Sequence, residues 1–220
     1  MTILAIETST QVCSAAWCKD GVCVAERIQE IGGNHAAMLP VFIDELLTEA
    51  RQNGWQADAV AVSEGPGSYT GLRIGLSTAK GLCYGWNVPL IPIPTMDVLC
   101  AAAREQIGDE PCTLVPMMDA RRMEVYTRIN GQVTAQIVTD AEWLPQGDKI
   151  YFFGDGAAKC KDLLESPQCK MIEHVLPVAR VMGALAEQAE RRIGEKELAY
   201  FTPFYLKDFI AAPSHVKGLV

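Results

Sequence analysis

The sequence predicts an α/β fold of two lobes facing each other. Three observations carry this. The first 93 residues alternate as strand, strand, strand, helix, strand, helix, strand. The second half opens in the same way, with a strand followed by a hairpin. Both hairpins carry a turn dipeptide between apolar runs. A strand-rich opening that passes into helix–strand alternation, given twice, builds two layered units, and a ligand cleft commonly lies between such units.

Thr2–Ile6 is a short apolar run suited to a buried strand, closed by Glu7-Thr8-Ser9-Thr10. Val12–Cys18 and Val22–Arg27 flank Lys19-Asp20-Gly21 and predict an antiparallel pair. Gly32-Gly33-Asn34 breaks the pattern. A helix is expected from about His35 to Arg51, with Asn34 as its N-cap. Leu39, Phe42, Ile43, Leu46, Leu47 and Ala50 share one face, and Met38 and Val41 widen the apolar arc. Ala57–Ser63 reads as a strand ending in Glu64-Gly65-Pro66-Gly67. Ser68 caps a helix running to about Tyr84. Gly71, Gly75, Ala79 and Cys83 recur every fourth residue of that helix and predict a smooth seam for another helix. Val88–Ile93 is a strand, and Met96–Arg104 a helix that carries the chain across. In the second half Thr113–Met118, Glu124–Ile129, Gln132–Val138 and Ile150–Phe153 read as strands. Asn130-Gly131 makes a second hairpin, and a long helix is expected from about Val178 to Arg192. The expected division is a first lobe over 1–104 and a smaller second lobe over 105–220.

The chain has 220 residues, 49% hydrophobic and 21% charged, which suffices for a real core. Its 19 basic and 27 acidic residues give a net charge of −8, with no basic run denser than Arg121–Arg122 or Arg191–Arg192. Such a surface repels phosphate backbones, so a sole nucleic-acid-binding role is disfavoured. The eight cysteines form no Cys-x-x-Cys and no zinc spacing. Together with an opening Met1-Thr2-Ile3-Leu4 that has no charged leader, and no apolar run near the ~20 residues of a membrane span, this predicts a cytoplasmic protein with reduced thiols and no membrane contact.

The most specific stretch is Gly65-Pro66-Gly67-Ser68-Tyr69-Thr70-Gly71-Leu72-Arg73-Ile74-Gly75. It resembles the signature of the TsaB family, also called YeaZ. Ile3-Leu4-Ala5-Ile6-Glu7-Thr8-Ser9, His35 with Leu39-Pro40, and Asp119-Ala120-Arg121-Arg122-Met123-Glu124-Val125-Tyr126 are similar to further segments of it. The resemblance covers nearly the whole chain. It implies two ribonuclease-H-like lobes of the actin/Hsp70 (ASKHA) fold and a role in N6-threonylcarbamoylation of adenosine 37 in tRNA. It implies as partners a catalytic sister, TsaD, and an ATPase, TsaE. The net charge of −8 leaves tRNA to be reached only through the complex, and the wide apolar face of the first helix predicts self-pairing as a homodimer when alone.

The residues test whether this chain could itself be catalytic. The sister carries His-x-x-x-His after a strand like 87–93. This chain has Thr95 and Leu99 there, and its only histidines are His35, His174 and His215. Imidazoles four apart on a helix reach one metal, whereas leucine offers no donor. No metal, no cofactor and no catalytic residue are therefore expected. Actin-like kinases use Asp-x-Gly-x-Thr after the first strand, where this chain has Glu7-Thr8-Ser9-Thr10 without the glycine. A degenerate nucleotide site is expected at most, from Glu7, Thr8, Ser9, Asp119, Gly154, Asp155 and Gly156. Asp119 is expected to pair with Arg121 or Arg122 or to meet a partner. Gly65–Gly67 reads as a tight turn rather than an anion cradle, since Pro66 removes a donor. The early cysteines read as strand packing. The expected partner interface is Met38, Val41, Phe42, Gly71, Leu72, Gly75, Ala79 and Cys83. The competing class is an independent weak ATPase or peptidase of the same fold.

Overall fold

The computed structural model describes residues 1–32 and 34–207. His215, and with it the far end of the expected second lobe, lies outside the described residues. The first sheet contains β1 (Thr2–Glu7), β2 (Cys13–Lys19), β3 (Val22–Gln29), β4 (Ala59–Gly65) and β5 (Leu90–Pro94), in the order β3-β2-β1-β4-β5. β1, β2 and β3 are antiparallel, and β1, β4 and β5 parallel. The second contains β6 (Thr113–Asp119), β7 (Glu124–Ile129), β8 (Gln132–Ile137), β9 (Ile150–Phe153) and β10 (Cys169–Ile172), in the order β10-β9-β6-β7-β8. Read from β8 to β10, the second sheet repeats the first: an antiparallel meander, then two parallel strands. These are the two lobes that the sequence predicts, built on one repeated sheet topology. Asp20-Gly21 and Asn130-Gly131 turn both hairpins with positive φ at each residue, 50° and 79° in the first and 49° and 81° in the second, the backbone that a two-residue turn demands.

Strand alternation splits the first core in two. Leu4, Ile6, Val60 and Val62 face one side, against Leu39, Ile43 and Leu46 of α1 (His35–Asn53) and Leu76, Ala79 and Cys83 of α2 (Tyr69–Trp86). Ile3, Ala5, Ala59 and Ala61 face the other, against Val98 of α3 (Thr95–Ile107) and Met182 and Ala186 of α5 (Met182–Gln188). The opposite side of α3 presents Met96, Leu99, Ala102 and Ala103 to Met118, Phe153 and Ile172 of the second lobe. One helix thus forms a wall common to both lobes.

Several expectations are corrected. The long helix over 178–192 is a 3₁₀ turn at Ala179–Val181 followed by the short α5. It stops because Ile193 must run extended to exchange backbone bonds with Leu90, at 3.0 and 2.8 Å. The lobe boundary changes with it. The second sheet ends at Ile172, and Ala179, Met182, Ile193, Leu198 and Phe201 return to the first lobe's cores. The second lobe is therefore a 113–172 insertion followed by a return, rather than everything beyond residue 105. Asn34 makes no side-chain cap on α1, whereas Ser68 does cap α2, its hydroxyl accepting the Gly71 N–H at 3.2 Å. β10, α4 (Lys161–Leu164) and α6 (Glu195–Leu198) were not expected from the sequence. Each has four residues, too few to display a period.

Candidate functional site

The loop after β1 is built on a buried acid. Glu7 is fully buried, and one carboxyl oxygen accepts the Ser9 N–H at 2.6 Å. Its other oxygen has no hydrogen-bond partner, and neither do the buried hydroxyls of Ser9 and Ser63. Burial pushes the Glu7 carboxyl above its ordinary range, while contacts from Ser9 and Ser63 pull the other way. Glu7 therefore faces inward, away from solvent.

Thr8 locks that loop onto α2. Its hydroxyl donates to the Gly71 carbonyl at 2.8 Å. A Cβ on Gly71 would strike the Thr8 carbonyl, and one on Gly75 would strike the Thr8 hydroxyl. On the next residue, the Ser9 carbonyl accepts the Ser68 N–H at 2.6 Å, and Gly67 packs directly beneath it. A helix N-terminus binds phosphate through free N–H groups and its dipole. Here the chain's own carbonyls and the Ser68 cap meet that end of α2.

The second lobe contributes Asp119 and Asp155. Asp155 accepts the Asp119 N–H at 2.9 Å, and the crowded wall around its carboxyl raises its pKa. Asp119 accepts the Arg121 N–H at 3.0 Å and forms an ion pair with Lys159, whose ammonium also donates to the Glu124 carbonyl at 2.7 Å. This corrects the expected pairing. The cation on Asp119 is Lys159, forty residues away in sequence, and Arg121 supplies only its backbone. Arg121 and Arg122 both sit at positive φ, 71° and 51°, a conformation that costs about 1–3 kcal/mol and so must be held by its surroundings. The bonds from Arg121 N–H to Asp119, from Ala120 N–H to the Glu124 carbonyl and from Glu124 N–H to the Arg121 carbonyl supply that hold.

Between the lobes lies a cleft of about 670 Å³. Ser9, Asp119 and Asp155 line it, so three of the seven residues expected for a degenerate nucleotide site do meet there. Glu7 and Thr8 stand behind its wall. Gly154 (φ 105°) and Gly156 serve as close-approach points for the backbone of Met117 and Met118. His35, also at the cleft, is buried, with Nε2 2.8 Å from the Thr10 carbonyl. Sequence reasoning missed Tyr205 and Lys207. They reach the cleft because Phe204 donates to the Glu64 carbonyl at 2.7 Å and lays the following residues across α2. There Tyr205 packs 4.9 Å from Tyr69, and its hydroxyl accepts from Arg73 Nε at 3.0 Å. The Gly65 signal was visible but its reason was not: a Cβ there would strike the Phe204 carbonyl.

Among the described residues no group of three His, Cys, Asp or Glu side chains could hold a metal ion. Thr95 begins α3, fully buried, and Leu99 is pressed into the core between the lobes.

The expected interface residues divide. Gly71, Leu72, Gly75, Ala79 and Cys83 are buried, with Ala79 and Cys83 in the first lobe's core. Burial also raises the Cys83 thiol pKa, to about 12. The small-residue seam therefore seats β1 and its loop, not another molecule. Phe42 is buried as well. Val41 is 47% exposed, and Met38 lies half-buried at the edge of the core. The opposite face of α2 carries a second pair of small residues and is open: Cβ atoms on Gly81 or Gly85 would meet nothing within 4 Å.

Three comparisons bear on this arrangement. Residues 28–213 match the sequence model of a family described as TsaD: tRNA N6-adenosine threonylcarbamoyltransferase. The tRNA threonylcarbamoyladenosine biosynthesis protein TsaB of Bacillus subtilis (strain 168) is 31% identical over 213 residues, covering 91% of this chain and 86% of its own. The protein of the same name in Haemophilus influenzae is 38% identical over 127 residues, 57% of this chain and 52% of its own. The tRNA N6-adenosine threonylcarbamoyltransferase of Enterococcus faecalis is 34% identical over 118 residues, 46% of this chain and 34% of its own. Among solved structures, an uncharacterized protein from Pseudomonas aeruginosa with similarity to peptidase YEAZ superposes at a TM-score of 0.75 with 25% identity, covering 94% of this chain and 99% of that one.

Proposed function

This chain belongs to the TsaB family, and from that premise we propose that it acts in tRNA threonylcarbamoyladenosine biosynthesis as a non-catalytic scaffold. In this reading it pairs with a TsaD-like catalytic sister, meets a TsaE-like ATPase in the same assembly, and reaches tRNA only through that assembly. The single observation that carries the non-catalytic reading is the seating of the Thr8-Ser9 loop on α2. The Ser9 carbonyl takes the Ser68 N–H at 2.6 Å, and the Thr8 hydroxyl fills the space above Gly75. Phosphate groups need donors and room there; at the cleft-facing start of α2 the Ser9 carbonyl takes up the Ser68 N–H, the Ser68 hydroxyl takes up the Gly71 N–H, and Pro66 has no N–H to give. The net charge of −8 supports the same division of labour, because the grip on RNA falls to a partner.

An independent ATPase or peptidase is the competing reading. Against it stand the two N–H groups already taken up at the start of α2 and a His35 ring nitrogen placed on the Thr10 carbonyl at 2.8 Å rather than on a nucleophile. Reconstitution tests the choice. With the sister, the ATPase, ATP, an activated threonylcarbamoyl donor and tRNA present, omission of this chain is expected to abolish threonylcarbamoylation, and its addition at stoichiometric amounts to restore it. Full activity without this chain overturns the scaffold role. ATP or peptide turnover by the chain alone, at rates matching the assembled reaction, would favour the competing reading.

A further inference from the structure

Two of the three early cysteines meet across the first hairpin. Around the two-residue turn Asp20-Gly21, Lys19 pairs with Val22 and Cys18 pairs with Cys23. In such a hairpin the pair beside the turn exchanges its backbone hydrogen bonds, so the next pair outward is of the non-hydrogen-bonded kind. Its Cα atoms approach to about 4.5 Å and its side chains stand on the same face. A disulfide requires Cα atoms roughly 4.4–6.8 Å apart. The ladder then shifts register between Trp17 and Cys18, which sets this pair at the end of a regular stretch.

The two thiols differ in access. Cys18 is fully buried, its Sγ 3.7 Å from the Arg180 carbonyl, and it lies so close under Gly183 that a Cβ there would come 2.9 Å from the sulfur. Cys23 is only partly buried on β3, at the edge of the sheet, with Sγ 3.6 Å from the Ala25 carbonyl. Cys23 is the more exposed of the two, and Cys18 lies buried opposite it across the hairpin.

We propose that Cys18 and Cys23 form a reversible dithiol–disulfide site, in which Cys23 reacts with a hydroperoxide and Cys18 resolves the product. The Cys23 thiolate sulfur attacks the outer peroxide oxygen. The O–O bond breaks, the sulfur is oxidised to sulfenic acid, and the departing oxygen takes a proton to leave as water or alcohol. The Cys18 sulfur then attacks the sulfenic sulfur, the S–S bond forms, the S–O bond breaks, and hydroxide leaves with the Cys18 proton as a second molecule of water. Two electrons pass from the dithiol to the peroxide. The local electrostatics assist: the neighbouring Cys18 thiol lowers the Cys23 pKa while its own is raised, and Arg180 adds to this while burial and Glu26 oppose it.

Peptide mapping of the full reduced chain decides it. After treatment with stoichiometric hydrogen peroxide, alkylation and trypsin, two of the eight cysteines are expected to escape alkylation. Cleavage after Lys19 should leave one linked pair of peptides, joined through Cys18 and Cys23 and two hydrogens lighter than their sum, and dithiothreitol should separate them. Circular dichroism should be unchanged, since the register already places the pair. In Cys18→Ala, Cys23 should stop at the sulfenic acid and be captured by dimedone. Full alkylation of Cys23 after peroxide, a sulfenic acid that persists in the unmodified chain, or a cross-link through any other cysteine would each overturn the proposal.

Discussion

At the scale of single residues, Glu7 shows how a site is closed from within. Full burial of this carboxyl favours its protonated form, against the pull of the Ser9 and Ser63 contacts toward the carboxylate. Its folded pKa is raised above the ordinary glutamate value of 4.5. The folded state therefore binds the proton more tightly than the unfolded chain does. Stability should fall as pH rises from that ordinary value toward the raised one, and level off above it. Asp155, Glu26 and Glu64 are also raised by burial, so the slope belongs to Glu7 only by difference. Glu7→Gln keeps an acceptor for the Ser9 N–H and loses the titration. Denaturant melts across the acid-to-neutral range should give a shallower decline for this variant, and identical slopes would remove Glu7 as the cause. The acid at this position was legible in the sequence, as was the missing glycine after it. Its inward orientation was not, because nothing local indicates that Thr8 fits the space over Gly75 sixty-seven residues away.

At the scale of elements, the two hairpins, α1, α2 and nine of the ten strands could be read from alternation, helical spacing and turn dipeptides. The misreadings share one cause. The stretch after Ile172 is shaped by what it crosses rather than by its own pattern: Gly183 fits beneath β2, Ile193 pairs with β5, and Phe204 covers Gly65. The seam of α2 was misread for a related reason. Spacing of four names a face of a helix without saying what lies opposite. Gly75 touches Thr8, whereas Gly81 and Gly85 touch nothing. This separates two substitutions. Gly75→Leu should overpack the loop, cost about 1–3 kcal/mol or more and lower the melting temperature. Gly81→Leu should leave the fold intact, since its side chain enters open space, yet weaken pairing with the sister by about tenfold or more if the open stripe is the contact. Melting curves and binding isotherms on both variants check this. Full binding by a folded Gly81→Leu protein would move the interface off α2.

At the scale of the molecule, the first lobe leaves apolar surface on the helices that cover its sheet. Val41 on α1 is 47% exposed and Tyr84 on α2 is 77% exposed, near the open Gly81 and Gly85. Such a face tends to find a partner, and two-fold self-pairing is the commonest arrangement when no other protein is present. The isolated chain is therefore expected to dimerise reversibly, with a dissociation constant on the order of tens of micromolar, the range of a modest contact. Val41→Glu should shift it to monomer, because two carboxylates would be brought together across a low-dielectric contact. If the sister protein uses the same face, the two pairings exclude each other, and a titration with the sister should dissolve the self-dimer in proportion to the heterodimer formed. Sedimentation velocity resolves the three species. A self-dimer that survives saturation with the sister would place the contacts on different faces. A chain that remains monomeric at concentrations well above tens of micromolar would show that the face is not complementary to itself. The heterodimer titration would then test the shared face alone, with Val41→Glu expected to weaken it and an unchanged isotherm removing α1 from the contact.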